Sequence, residues 1–371
     1  MPESDPLAKL RNQSLALGYA PQARRNLAII DQGSTVNLED TEFGIPLVDI
    51  YINDLCNLRC QFCPTKFGTN NLPIRAVEEI ARLRPRVLTL TGGGEPTLYR
   101  DGTNRIGDFI AEIRKHMGSI PLGMMTNGTN LMSTSAAEEL EWLRVSLNAS
   151  TPESYKTVHR SPLFNKVIQN VVAYLKMEIP KVGIGFVYTP ETVDELMSLA
   201  QVVLEKIFPN LSREEQSRLT LQFRPEANAD YERYTLSEGE IEGLKKQWEG
   251  LPTEVRTLLA EQSNIAQVME NQCFTTKGSF DRCSISILQM NIDAKGDTYP
   301  CPQKAHAFKD SYGNILEPNF FDDLRMRIRE SYRGHNHATC GTCSQARVNN
   351  EYGTLDLGNI PLAQSMPTTF F

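Results

Sequence analysis

The stretch LVDIYINDLCNLRCQFCP, residues 47–64, decides how the chain is read. Its first eight residues, LVDIYIND (47–54), form a β-like run. Cys56, Cys60 and Cys63 follow at once as a CxxxCxxC triplet. Three thiolates at this spacing can hold three irons of a [4Fe–4S] cube and leave the fourth iron open to a ligand. A four-cysteine cluster mostly moves electrons, whereas an open iron does chemistry on what it binds. The plainer alternatives are a zinc knuckle or scattered buried thiols, although zinc more often uses a paired CxxC…CxxC pattern.

Five more β-like runs follow: RVLTLTG (86–92), PLGMMTN (121–127), LRVSLNAS (143–150), KVGIGFVYT (181–189) and LTLQFRP (219–225). Amphipathic stretches lie between them, at Ile74–Leu83, Gly107–His116, Ala136–Trp142, Phe164–Met177 and Val193–Ile207. This alternation predicts βα units around a parallel sheet. Six units are too few for a complete eight-fold barrel, and parallel barrels put chemistry at the C-terminal ends of their strands. The triplet follows strand one, at such an end.

The 371 residues suffice for one large domain, or a large one plus a small one, and a 40% hydrophobic content supports a real core. A formal net charge of −7 gives no global positive field for nucleic acid. No window approaches 18 uninterrupted apolar residues, so no membrane span is expected. MPESDPLAKLRNQ lacks a charged-then-apolar signal pattern. Eight cysteines without such a signal point to metal or catalysis in a reducing cytoplasm, not to a disulfide scaffold.

The triplet, its position and its surroundings resemble the radical S-adenosylmethionine (SAM) superfamily. The resemblance implies an α/β fold, an open (β/α)6 TIM-like partial barrel. It also implies that the free iron chelates SAM, which is cleaved to a 5′-deoxyadenosyl radical. Phe62, before the third cysteine, would pack on the adenine. TGGGEP (91–96) closes strand two; Gly93, Gly94 and Glu95 match the run that contacts the methionyl amino group in the family. By the same resemblance Asn127, in MTNGTNL (125–131), would stand near SAM. Ser146, in SLNAS (146–150), would touch the ribose or carboxylate, with Asn148 a lower-ranked neighbour. Each is also an ordinary turn or buried polar residue on its own. Arg160 could grip the SAM carboxylate, or be a surface arginine. Arg224 ends strand six, where it could bind a substrate oxygen or form an ion pair with Glu226.

Near the C-terminus the order Cys283-x12-Gly296-x4-Cys301…Cys340-x2-Cys343 resembles the twitch domain, the shorter relative of SPASM. The resemblance implies that these four cysteines ligate a second [4Fe–4S] cluster; four spaced thiolates could also bind zinc. NIDAKGDTYPCPQ reads as a β-hairpin. Cys273 is left over, either a buried small hydrophobe or a hydrogen-atom donor. None of the five histidines (116, 159, 306, 335, 337) shows a metal-ligand or triad spacing. The expected organisation is a cap segment (1–45), the partial barrel (46–229), a helical bridge (230–270) and a small α+β auxiliary-cluster domain (271–371).

The resemblance implies an oxidoreductase that abstracts a hydrogen atom from a small hydroxylated, aminocyclitol-like substrate. The expected outcome is dehydrogenation, with the auxiliary cluster as electron acceptor and Arg224 positioning the alkoxide. Epimerisation with Cys273 as donor is the second expectation, and modification of a ribosomal peptide the third. A flavodoxin- or ferredoxin-like protein would supply the electron; no nucleic acid or membrane partner is expected.

Overall fold

The computed structural model describes residues 22–31, 42–65, 67–227, 233–270, 280, 282–334, 343 and 349. A helix α1 (22–31) leads into β1 (Leu47–Tyr51), α2 (Ala76–Arg82), β2 (Val87–Thr91), α3 (Ile106–Met117), β3 (Leu122–Thr126), α4 (Thr134–Ala137) and β4 (Trp142–Ser146). Next come α5 (Pro152–His159), α6 (Phe164–Lys176), β5 (Lys181–Tyr188), α7 (Leu196–Val202), α8 (Arg213–Ser217) and β6 (Leu219–Pro225). Helices α9 (Glu238–Gly250), α10 (Thr253–Gln262) and α11 (Ile265–Met269) form the bridge. The C-terminal part holds β7 (Gln289–Ile292), β8 (Asp297–Tyr299), α12 (Pro302–Ala307), β9 (Gly313–Asn314) and α13 (Phe320–Arg333).

Strands β1 to β6 are parallel neighbours in sequence order, the arrangement of a radical SAM partial barrel. Side chains alternate across each strand. Val48, Ile50, Leu88, Leu90, Leu143, Val145, Ile184 and Phe223 face the helices and join one continuous core. Asp49, Thr89, Met125, Arg144, Gln222 and Arg224 therefore stand on the other face, toward the lumen. The caps follow sequence: Thr151 accepts from Ser154 N before Pro152 opens α5, and Ser237 forms a capping box with Glu240 at α9.

Three features depart from the sequence reading. Ala136–Trp142 is helical only over α4, and Trp142 opens β4. The Trp142 ring occupies the space over Gly123, where a Cβ would lie 1.9 Å from it; that lumen contact overrides local helix propensity. The stretch Val193–Ile207 starts with a 3-10 turn, and α7 widens into a π-helical turn at Val203–Ile207. Finally, the C-terminal strands do not make a separate sheet. β7 pairs parallel with β1 (Leu47↔Gln289 to Ile50↔Ile292), and β8 and β9 continue antiparallel, giving the order β6-β5-β4-β3-β2-β1-β7-β8-β9. The expected hairpin is present, with Gly296 at φ +93° in its turn. It covers what would otherwise be an open edge of β1. At the opposite edge, Asn264 Oδ1 accepts from Phe223 N (2.8 Å) and its Nδ2 donates to Phe223 O (2.9 Å). The bridge thus closes β6.

Among the described residues, no helix is long and apolar enough to cross a membrane.

Candidate active site

The loop after β1 carries Cys56, Cys60 and Cys63, all partly exposed. Its backbone docks on the end of α5: Gln61 N donates to Val158 O (2.9 Å) and Arg59 N to His159 O (3.4 Å). Terminal helix carbonyls lack intrahelical partners, so the loop satisfies what the helix leaves open. The three thiols are close enough to feel one another. Cys60 is pushed up to about 12, first by burial and then by the charges of Cys63 and Cys56. Burial also raises Cys56, while donation from Leu58 N (3.4 Å to Sγ) opposes it. Asn127 Nδ2 lies 3.9 Å from the same sulfur. Three coupled sulfurs at the mouth of a barrel, with N–H groups directed at one of them, fit a thiolate-held cluster.

Asn127 is the hub of this end of the barrel. Its Nδ2 donates to Asn57 Oδ1 (2.9 Å), and its Oδ1 accepts from Thr129 N (2.9 Å) and Oγ1 (2.7 Å). Its backbone N donates to Glu95 Oε2 (2.6 Å). The loops after β1, β2 and β3 are so joined at one side chain. Glu95 is buried, and both of its oxygens are engaged within the protein. Oε1 accepts from Thr97 N (3.1 Å), Thr97 Oγ1 (2.8 Å) and Thr126 Oγ1 (2.6 Å). Burial raises its pKa, and these donors oppose the rise.

The glycines of TGGGEP make room for the chain itself. A Cβ on Gly94 would sit 2.1 Å from Leu55 O, and one on Gly93 would sit 2.8 Å from Asp54 Oδ1. The turn packs directly under the cysteine loop, and Glu95 N donates to Leu55 O (2.7 Å).

The other sequence-chosen residues are placed as follows. Phe62 is partly exposed in the cysteine loop. Ser146 ends β4 on the lumen face, partly exposed. Asn148 has φ +53°, and its Oδ1 accepts from Val187 N (2.8 Å), so it bridges β4 and β5. Arg160 is exposed in the left-handed region, capping α5. Arg224 faces the lumen near the end of β6, and Glu226 forms no ion pair with it among the described residues. The sequence reading missed Asn57, Thr126 and Thr129, whose roles arise from contacts between loops. It also passed over His159: Cys60 Sγ lies 3.0 Å from its Nδ1, a pairing 99 residues apart in sequence.

In the C-terminal part, Cys283 is buried; Cys301 and Cys343 are partly exposed. The charges of Cys283 and Cys301 both reach the Tyr312 hydroxyl. Cys340 and Cys273 lie outside the described residues. Tyr51, at the end of β1, stacks on His306 of α12 with ring centroids 5.2 Å apart. This contact joins the first site to the element that follows Cys301.

Residues 50–203 match the Radical SAM superfamily model. A GTP 3',8-cyclase from Paenarthrobacter nicotinovorans is 32% identical over 154 residues, covering 35% of this chain and 42% of that protein. An S-adenosylmethionine-dependent nucleotide dehydratase from Flammeovirga pacifica is 28% identical over 155 residues, covering 35% and 50%. The chain thus spans half or less of the length of these relatives. Among solved structures, Streptococcus suis SuiB bound to its precursor peptide SuiA shares 18% identity at TM-score 0.53, covering 82% of this chain and 72% of SuiB. Native anSMEcpe with bound AdoMet also shares 18%, at TM-score 0.52, covering 82% and 88%. At that identity the likeness is one of fold.

The segment of residues 50–203 is a radical SAM domain, and the cofactors of such a domain are a [4Fe–4S] cluster and SAM. The relatives matched over about a third of this chain are named for nucleotide chemistry, which overturns the expected dehydrogenation of a hydroxylated aminocyclitol-like substrate. The alternative of epimerisation through Cys273 falls with it. The sequence reading had weighted the C-terminal cysteine pattern, which carries no information on the substrate.

Proposed function

We propose that this chain, with its radical SAM domain at residues 50–203, acts on a purine nucleoside triphosphate and converts it by an internal bond-forming rearrangement. The observation that carries the reading is the content of the shared segment. It includes the thiol loop, the glycine turn and the Asn127 hub, and relatives matched over part of this chain are named GTP 3',8-cyclase. Cys56, Cys60 and Cys63 would hold the cluster, which with SAM would supply radical chemistry for hydrogen-atom abstraction from an unactivated carbon. The protein's part is positional. Asn127 and Asn57 hold the cysteine loop, Glu95 locks the turn beneath it, and the lumen below offers polar side chains to the substrate.

Cys283, Cys301, Cys340 and Cys343 hold a second [4Fe–4S] cluster in this reading, and an external flavodoxin- or ferredoxin-like protein delivers electrons. A reducing cytoplasm suits such thiolate-held clusters.

The test is anaerobic incubation of reconstituted protein with SAM, dithionite and GTP or ATP, followed by mass spectrometry. The expected result is nucleotide-stimulated release of 5′-deoxyadenosine and a product with the mass of the nucleotide, as for ring closure. A product lighter by one water would favour the dehydratase relative. Release that no nucleotide alters, with no nucleotide product, would end the proposal.

A further inference from the structure

Three arginines stand together on β4, β6 and the segment after β6. Arg144 is 5% exposed in the middle of β4. Arg224 lies two strands away on the same lumen face, and Arg233 follows close by, with its Nη1 3.4 Å from Pro225 O. Their charges oppose one another. Arg144 is held well below the usual guanidinium range by burial and then by Arg224. Arg224 is lowered to about 10 by burial and then by Arg233.

Among the described residues no carboxylate forms an ion pair with Arg144 or Arg224. Arg144 donates to Gln222 Oε1 and contacts Met125 Sδ, both neutral. Among the described residues neither arginine forms an ion pair, and the buried Nε of each has no hydrogen-bond partner. Two neighbouring buried guanidiniums such as Arg144 and Arg224, with no ion-pair partner among the described residues, are costly in a poorly hydrated interior, so proteins rarely keep them without an anion to bind. The fold makes space for the group. Gly183 and Gly185 on β5 have no side chain where Arg144 lies, and Cβ atoms there would approach it to 3.4 and 3.3 Å.

The lumen beside them is open. Thr91, Met125, Ser146, Val187, Gln222 and Arg224 are partly exposed although they sit on sheet strands flanked by helices. Side chains in such a place meet solvent only if the barrel interior is hollow at that level. Glu95 forms no ion pair with Arg144 or Arg224; its oxygens accept from Thr97, Thr126 and Asn127.

We infer that Arg144 and Arg224, with Arg233 beside them, form an anion-binding wall that holds the phosphates of the substrate. Guanidinium groups suit this task because their planar forks donate paired, charge-assisted bonds to phosphate oxygens. In the strand order β4 and β6 are separated from β1, which carries Asp49, by two and four intervening strands. That the anion is a phosphate rests on the nucleotide reading above. The other nearby source of the same chemistry is the carboxylate of SAM.

The experiment measures equilibrium binding of inorganic tripolyphosphate, GTP and SAM to anaerobically reconstituted protein. Wild type is compared with Arg144→Gln, Arg224→Gln and Arg224→Lys. The expected result is that both Gln variants weaken tripolyphosphate and GTP by about tenfold or more. Arg224→Lys should recover part of the loss, and SAM affinity should be kept. Iron content and thermal unfolding establish that each variant is folded. Arg144→Met serves as a second check: it should weaken tripolyphosphate while raising Tm, because an uncompensated charge is removed from the interior. Loss of SAM affinity with unchanged tripolyphosphate binding would reassign the wall to the SAM carboxylate and overturn the inference. Unchanged binding of all three ligands would overturn it as well. Turnover of GTP with the Gln variants binding like wild type would remove the wall and leave the nucleotide reading standing. Arginine-dependent tripolyphosphate binding without GTP turnover would do the reverse.

Discussion

The Sγ of Cys60 lies 3.0 Å from Nδ1 of His159, and the other ring nitrogen, Nε2, lies 2.8 Å from the Leu147 carbonyl. A carbonyl only accepts, so Nε2 carries the proton. Burial lowers His159 to about 4, so the ring is neutral at pH 7 and Nδ1 accepts from the thiol. An iron-bound Cys60 has lost that proton, and its sulfur becomes an acceptor. Loading therefore calls for the ring to take up a second proton at Nδ1, which then donates to the sulfur while Nε2 keeps its bond to Leu147 O. His159→Leu should lower iron occupancy at the first site and make the reduction potential of the cluster more negative, because a donor to sulfur is lost. An EPR-monitored redox titration checks this; an unchanged potential and iron content would leave the ring only a packing role.

Gly94→Ala should prevent loading at the first site. The added Cβ would fall 2.1 Å from Leu55 O, a backbone atom that cannot move without shifting the cysteine loop. The expected outcome is loss of about half the iron and of SAM cleavage, measured by iron assay and 5′-deoxyadenosine release. Wild-type values for both would show that the loop tolerates a wider turn.

Asp49 gives a pH-dependent prediction. Burial raises its pKa from 3.8 to about 6, against the donors Thr89 and Gln289. The unfolded chain ionises first as pH rises, so the folded state binds more protons between about 4 and 6 and loses stability across that window. Asp49→Asn should remove the loss. It should stabilise the cofactor-free protein by about 1–2 kcal/mol at pH 7.5 and by almost nothing below pH 4. Thermal melts at the two pH values decide it; a uniform shift at both would point to a contact effect, not to ionisation.

His306, lowered to about 4 by burial, acts with the opposite sign. Its contribution is complete above about 6.5, the model-peptide value, and is lost as pH falls toward 4. His306→Phe would keep the stacking on Tyr51 and should flatten the acid limb of the stability curve. Chemical denaturation between pH 4 and 7 reads the effect, and an unaltered slope would contradict it.

Cys301→Ala should spare the first site and lower total iron from about eight to about four per chain, as two cubes require. Unchanged iron would remove the second cluster; zinc in its place would make the C-terminal thiols structural.

The six parallel strands were legible because βα units repeat a short apolar run and an amphipathic helix, and both signals are local. The cysteine triplet and glycine turn were legible for the same reason: their chemistry is written in consecutive residues. Contacts between distant segments left no such trace. Nothing near Asn57 tells that it meets Asn127, and nothing near Arg144 tells that Arg224 lies two strands away without a counter-charge. Trp142 was read into a helix because its partner, Gly123, is 19 residues earlier.

The substrate was misread for a related reason. Motifs that bind the cluster and SAM recur wherever that cofactor pair is used, whereas the lumen side chains that meet a substrate alternate singly along strands and make no motif. The sequence by itself determined the strand order, the thiol loop and the cofactor class, because each follows from local spacing. Only the tertiary structure decided that β7 extends the barrel sheet, that Glu95 is locked inside it and that Arg144 and Arg224 face its lumen with no ion-pair partner among the described residues. Those outcomes depend on which residues burial brings together across the barrel, a relation that chain distance does not encode.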